Sequence, residues 1–465
     1  MSNFIPTRVI KGSVTYRYGL FPDEGQQQPK SSSSLSNAPP LHTTLPIVIE
    51  PNTEMVDHDR NNSSKDSLLL WISQNKSWIR NVLNSSGAIL FRGFQIMSAQ
   101  DFEDVALEAA HYPLQDGYLG TSPRNRVTKY TFTASEFGPM VPIPQHLEMS
   151  FLPNSQPKEI FFYCQSPPEN LHQGETPICD MRLVYQNLNE EFKRKLDKYQ
   201  VANVRNYCSK RHAQHHHSLF SISFWSNILK QLDPFRTKPW EDIFETESES
   251  QVYKLCEHDQ VEPRWKQGKE LELYNEHDPI KQVPFALPSN DANRHGEDSS
   301  SKNTQGQSSC FTWSNHMQVF HIDAVPCEYR QVAQRQQRWI IYLLWMIALV
   351  VILIKKLLVS RHDQAQHAFF VPKRSVADNG KDHAQQTNGV ENSKKESTFG
   401  SEETTKELEL STKEIQHVSD TIWQNTVFFD WRKGDVMMLN NSIISHGRMP
   451  YTQKKSKRVI LTAFC

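Results

Sequence analysis

The stretch IPQHLEMSF, residues 143–151, sets a histidine and a glutamate two positions apart in an otherwise apolar run. Two histidines and one carboxylate on one face form the arrangement that holds non-haem Fe(II) and leaves positions for a bidentate co-substrate and O2. Alternate residues of a strand point the same way, so an extended segment would turn His146 and Glu148 towards one ion. An HxE triplet arises often by chance, and the pair needs a third ligand.

The C-terminal run FFDWRKGDVMMLNNSIISHGRMPYTQKKSKRVILTAF offers one in His446. It has a turn at Lys433-Gly434-Asp435, an apolar VMML, Asn440-Asn441, the histidine, a basic run and then Arg458 opening the last apolar strand. An arginine fixed on a strand presents a planar fork that grips a carboxylate with two hydrogen bonds. A 2-oxo dicarboxylic acid that chelates iron through its keto acid needs such a grip at its far end. Taken singly, His446 reads as a core or surface histidine and Lys454, Lys455, Lys457 and Arg458 as a solvated loop; their joint order favours a site. Arg448 either meets an anionic group of the substrate or pairs with a surface carboxylate.

The elements that would carry these residues are mixed α and β. SLLLWISQNKSWIRNVLNSSG has helical spacing and stops at Gly87, AILFRGF is a short apolar strand, and SAQDFEDVALEAAHY opens with a serine cap. EIFFYCQ, TVFFDW and RVILTAF read as further strands. Residues 23–42, 288–309 and 374–405 are polar, poor in aliphatics and read as poorly ordered. With 465 residues, 37% of them hydrophobic, and a formal net charge of -1, the chain can bury a sizeable core and shows no bias towards nucleic acid. The seven scattered cysteines include no CxxC pair, and the N-terminus lacks a secretory pattern, so an intracellular, cytoplasmic setting is expected.

These motifs, in this order, resemble the TauD/TfdA family of Fe(II)- and 2-oxoglutarate-dependent dioxygenases, in particular its branch resembling the syringomycin-pathway aspartyl hydroxylase. GAILFRGF resembles the family's N-terminal strand, IPQHLEMSF its first metal motif, and GETPICDMRLVYQNL the segment after it. VANVRNY, TWSNHMQVFH and WRKGDVMMLNNSIISHGRMPY continue the series, covering about 87–330 and 421–465. The resemblance implies that His146, Glu148 and His446 bind Fe(II), that Arg458 clamps the distal carboxylate of 2-oxoglutarate, and that the Thr176 hydroxyl assists it. It implies a mixed α+β fold with a double-stranded β-helix, a jelly-roll-like core with flanking helices. The expected domain organisation is a partly disordered tail at 1–45, a dioxygenase domain in two parts at 46–330 and 421–465, and between them a hydrophobic helical insertion at 331–420. Two departures stand out: Gln173-Gly174 replaces a usual glycine pair, and TQKKSK replaces a glycine-bearing turn, which makes Lys457 a rival to Arg458.

The chemistry implied is oxidative decarboxylation of 2-oxoglutarate to succinate and CO2, with O2 and a small-molecule or amino-acid-like substrate as partners and hydroxylation as the default outcome. With Glu148 present, no coordination position is freed for chloride, which disfavours halogenation. The competing reading is a catalytically silent, membrane-associated or scaffolding relative. It draws on Trp339–Ile354, an uncharged apolar run bounded by Arg338 and Lys355-Lys356 that is a membrane-helix candidate over 339–358. A span there would place His146 and His446 on opposite sides of a bilayer, so an iron site requires the run to project as a helix with both halves in one compartment. The histidines at 212, 215, 216 and 217 read as an adventitious metal-binding loop, and His316 and His321 as packing residues near the pocket.

Overall fold

The computed structural model describes residues 8–11, 14–17, 45–51, 63–117, 124–134, 138–152, 154–170, 173–210, 239–285, 306–311, 324–358, 366–373, 410–453 and 457–465. The three stretches expected to be poorly ordered, apart from 306–309, lie outside them, as do the 212–217 histidines, His316, His321, Lys454 and Lys455.

The first long helix, Lys65–Ser86, starts where the Ser64 hydroxyl accepts the Ser67 amide and closes on Gly87, whose N–H reaches Leu83 O at 2.9 Å. The next, Ala99–Ala109, begins with a reciprocal capping box between Ser98 and Asp101. Both lie on an eight-stranded sheet ordered Arg8–Lys11, Val14–Arg17, Ile47–Pro51, Ala88–Phe91, Val436–Asn440, Glu159–Ser166, Val459–Phe464, Phe132–Thr133. Its strands run antiparallel apart from the parallel pair Ile47–Pro51 and Ala88–Phe91. The middle strand reads EIFFYCQS because both of its faces are covered: Phe161 and Tyr163 pack with the helices, Ile160 and Phe162 into the inner core.

That inner core is shared with a four-stranded antiparallel sheet, Thr426–Val427, Ile178–Asp180, Ile444–Arg448, Ile143–His146. The turn leading into Val436–Asn440 is pinned by a buried fork from Arg92 onto Asp435, Nε–Oδ1 3.0 Å and Nη2–Oδ2 2.6 Å. A second four-stranded sheet, Glu262–Trp265, Leu271–His277, Tyr199–Tyr207, Gln366–Pro372, and the hairpin Ile280–Phe285 with Gly306–Phe311 complete the described strands. TVFFDW is strand only at Thr426–Val427.

The apolar run is a helix, Trp339–Leu358. Ile341 in its first turn is buried with Val332, Ala333 and Met449, while Trp339, Met346, Val350 and Leu353 are exposed. The membrane-helix expectation for 339–358 is corrected: among the described residues no helix is long and apolar enough to cross a membrane. The helix start is seated in the protein, and His146 and His446 lie in one sheet.

The preceding helix, Ala324–Gln336, packs on Thr412–Gln424 and buries Glu328, which accepts Trp423 Nε1 at 3.0 Å. Burial pushes this carboxyl from 4.5 up to about 7. The folded state therefore holds the proton more tightly than the unfolded one, and stability is lost as pH rises through the window from 4.5 to about 7. Glu328→Gln is expected to flatten that loss, on the order of 2–3 kcal/mol, in urea unfolding at pH 5 and pH 8. Equal pH dependence in both proteins would refute the assignment.

Candidate active site

His146 ends the strand Ile143–His146, and His446 stands directly opposite it in the register of Ile444–Arg448. Their ring centroids are 4.4 Å apart. Tight contact between these strands requires the glycine after His446: a Cβ on Gly447 would lie 2.6 Å from Ile143 O. His146 Nδ1 lies 2.8 Å from Pro144 O, a contact that fixes the N–H there and leaves the Nε2 lone pair facing inward.

Glu148 does not sit on that strand. The strand ends at His146, and Glu148 lies in a turn with Met149 at φ 48°. The carboxylate reaches the histidines by another route. Asn441 Oδ1 accepts the Glu148 N–H at 2.8 Å, while Asn441 Nδ2 donates to Glu148 O at 2.9 Å and Pro157 O at 2.8 Å. Glu148 Oε2 then stands 3.8 Å from His146 Nε2 and 3.9 Å from His446 Nε2. Those separations exceed hydrogen-bonding range. One ligand atom from each residue falls within 4.8 Å of the others, a triangle whose centre lies about 2–3 Å from each, the scale of a metal–ligand bond.

The electrostatics match. Burial, together with the His146 imidazole, holds His446 well below its ordinary value and so neutral. Burial pushes Glu148 up, but Arg124 and the two imidazoles outweigh it and keep the carboxyl well below the usual range, hence ionised. Arg124 Nη2 donates to Glu148 Oε2 at 2.7 Å.

Beside this cluster is a cleft reached by Arg124, His146, Thr176, His446, Arg448 and Arg458 and walled by Ala134, Ile143, Phe162 and Ile460. Arg458 is 7% exposed, whereas Lys457 is on the surface, so the register brings Arg458 and not its rival to the cleft. Its Nε donates to Gly174 O at 2.8 Å and its Nη2 lies 3.4 Å from Thr176 Oγ1. Gly174, at φ 64°, is the residue this contact needs, since a Cβ would meet Arg458 Cδ at 3.0 Å. Burial lowers the Arg458 guanidinium to about 10, still protonated at neutral pH. Thr176 Oγ1 also accepts Trp431 Nε1 at 3.0 Å.

The sequence profile of the family described as "Taurine catabolism dioxygenase TauD, TfdA family" matches residues 53–281 and 358–464, well over half of the chain. The chain belongs to the TauD/TfdA dioxygenase family. Membership makes it an oxidoreductase dependent on Fe(II) and 2-oxoglutarate. It is 37% identical over 137 residues to the clavaminate synthase-like protein At3g21360 of Arabidopsis thaliana, covering 29% of this chain and 40% of that protein. It is 22% identical over 384 residues to the dapdiamide synthesis protein DdaC of Enterobacter agglomerans, covering 82% and 84% of the two chains. The solved structure of PvcB from Pseudomonas aeruginosa aligns over 99% of this chain and 94% of its own at 9% identity, with a TM-score of 0.42.

In this TauD/TfdA member all six residues expected at the site, His146, Glu148, His446, Thr176, Arg458 and Arg448, reach one region, with Arg448 in a bracing posture. Its Nη2 donates to Gly138 O at 2.7 Å and Val141 O at 2.8 Å, holding the chain that leads into Ile143–His146. Three contributors escaped the sequence reading. Arg124 and Asn441 both hold Glu148. Arg335 donates Nη2 to Glu175 Oε1 at 2.9 Å, beside Thr176, and lies 3.4 Å over the Phe428 ring. Asn441 stands in the quoted C-terminal motif, but no pattern signals Arg124 or Arg335.

Proposed function

We propose that the chain hydroxylates a small metabolite or amino-acid-like substrate, with His146, Glu148 and His446 as the iron ligands and Arg458 and Thr176 as the clamp for 2-oxoglutarate. The observation that carries this is the convergence of two imidazoles and one ionised carboxylate beside a cleft whose far wall holds a buried arginine. The donor set fits the metal: two imidazole nitrogens and one carboxylate oxygen are the ligands of non-haem Fe(II) oxygenases. When bound, Fe(II) with 2-oxoglutarate supplies O2 activation, releasing succinate and CO2 and leaving one oxygen atom for the substrate.

The chain's own residues do the rest. Pro144 O sets the His146 tautomer, and Asn441 sets the Glu148 backbone. Thr176 Oγ1 already accepts from Trp431 and faces Arg458, so its own hydrogen remains to donate to a carboxylate held by Arg458. Ala134, Ile143, Phe162 and Ile460 give the cleft an apolar wall beside the reacting groups. A silent scaffolding relative would have no use for this convergence. The similarity to DdaC, a dapdiamide synthesis protein, supports a metabolite-type substrate.

We propose also that the folded core is a jelly-roll-like double-stranded β-helix, made by the eight-stranded sheet and the sheet that carries His146 and His446. We propose that its two parts, 46–330 and 421–465, are joined through 331–420, which lends Gln366–Pro372 to the sheet with Tyr199–Tyr207 and within which the family match resumes at 358. We propose a reducing, cytoplasmic setting on the strength of the scattered cysteines, which include no CxxC pair.

The deciding experiment gives purified protein Fe(II) and 2-oxoglutarate. Without air, a weak visible charge-transfer band should appear; with air and a metabolite library, succinate should form. Absence of both would end this reading.

A further inference from the structure

The cleft carries more positive charge than iron and 2-oxoglutarate neutralise. Arg124, Arg448 and Arg458 all reach it, and among the described residues that line it none is acidic. Glu148, behind Arg124, is the carboxylate these groups share. Fe(II) and the two carboxylates of 2-oxoglutarate cancel each other. Among the described residues, three guanidiniums against one carboxylate then leave two positive charges in a loaded cleft with apolar walls. Buried charge of one sign is costly until an anion arrives.

Position separates the three arginines. Arg458 lies against Gly174 O and Thr176, and Arg448 braces Gly138 O and Val141 O. Arg124 stands on the metal side. Its side chain is 6% exposed, its Nη2 is 2.7 Å from Glu148 Oε2, and its guanidinium lies 5.0 Å over the Phe464 ring. A carboxylate oxygen can accept this donor and still offer a lone pair to a metal.

We propose that the substrate of this enzyme bears a carboxylate and that Arg124 receives it, so that one guanidinium orients both the metal ligand Glu148 and the molecule to be oxidised. The inference rests on the Fe(II)/2-oxoglutarate reading above and names its substrate class. Arg124 is then a specificity determinant on the metal side of the cleft.

The test uses the full chain with Fe(II) and saturating 2-oxoglutarate under anaerobic conditions, reading the visible band and the melting temperature. The probes are small 2-amino and 2-hydroxy acids, each paired with its primary amide. At least one acid is expected to perturb the band, with its amide about 30-fold weaker or worse. Arg124→Gln, read at Fe(II) raised until its own band is saturated because the change also loosens Glu148, should bring that acid down to the level of its amide. Arg124→Lys, which keeps the charge, should retain the preference for acid over amide. Acids and amides acting alike, an acid unaffected by Arg124→Gln, or no acid perturbing the band would each overturn the proposal. Failure of the wild-type band to form would instead remove the iron reading beneath it.

Discussion

Replacing His146 with alanine is expected to abolish tight Fe(II) binding and, with it, succinate formation. The imidazole has few substitutes: it ends a strand, faces His446 in register, and turns Nε2 inward because Nδ1 is fixed at Pro144 O. Loss of a group that merely orients a metal ligand commonly lowers metal affinity about 10- to 100-fold, and loss of a ligand itself should exceed that. Asn441→Ala supplies the comparison. It removes the amide that holds Glu148 through its N–H and C=O while leaving all three ligands present, so a decrease of about 10- to 100-fold is expected. Anaerobic Fe(II) titration followed by the visible band, with circular dichroism as the check on folding, measures both. A His146→Ala protein that is folded and binds metal within about threefold of wild type would eliminate His146 as a ligand.

The contrast between these two residues shows what was legible in the sequence. His146, Glu148 and His446 could be read because each sits in a short local motif and their order along the chain is informative. The local geometry around Glu148 was less legible. An HxE triplet suggests a strand throughout, but the backbone leaves the strand after His146 and passes through a positive φ at Met149. Glu148 still converges because Asn441, 293 residues away, ties its backbone.

Arg124 and Arg335 were invisible for the same kind of reason. Their contacts with Glu148 and Glu175 cross 24 and 160 residues, and a lone arginine in a polar stretch carries no periodic signal. Helix ends were easier: Ser98 and Gly87 act within one turn, so their chemistry is local, although the Ser64 cap lies outside the stretch that was read as helical. The apolar run at 339–358 shows the limit of hydropathy. Its helical character was readable, but the burial of Ile341 against Met449 depends on how Ala324–Gln336 packs.

Arg458→Gln is expected to weaken 2-oxoglutarate binding by about 2–5 kcal/mol, roughly 30- to 5000-fold, while Fe(II) binding survives. The size follows from burial. The guanidinium is 7% exposed and stands beside Gly174 O and Thr176 Oγ1, so a co-substrate carboxylate there gains a desolvated, charge-assisted pair. Lys457→Gln is expected to change affinity less than about threefold, because an exposed ammonium is screened by solvent. Without co-substrate, Arg458 is a cation held in an unfavourable place, as its lowered value of about 10 records. Glutamine at that position should therefore leave the protein without co-substrate no less stable, even as binding is lost. Thermal unfolding reads both effects together. At 2-oxoglutarate about 100 times its dissociation constant, the wild type should gain about 2.7 kcal/mol of stability, and Arg458→Gln at the same concentration only a small fraction of that. If Lys457→Gln lost the ligand-induced stabilisation and Arg458→Gln kept it, the clamp would be Lys457 and the strand register in the structure would be off by one residue.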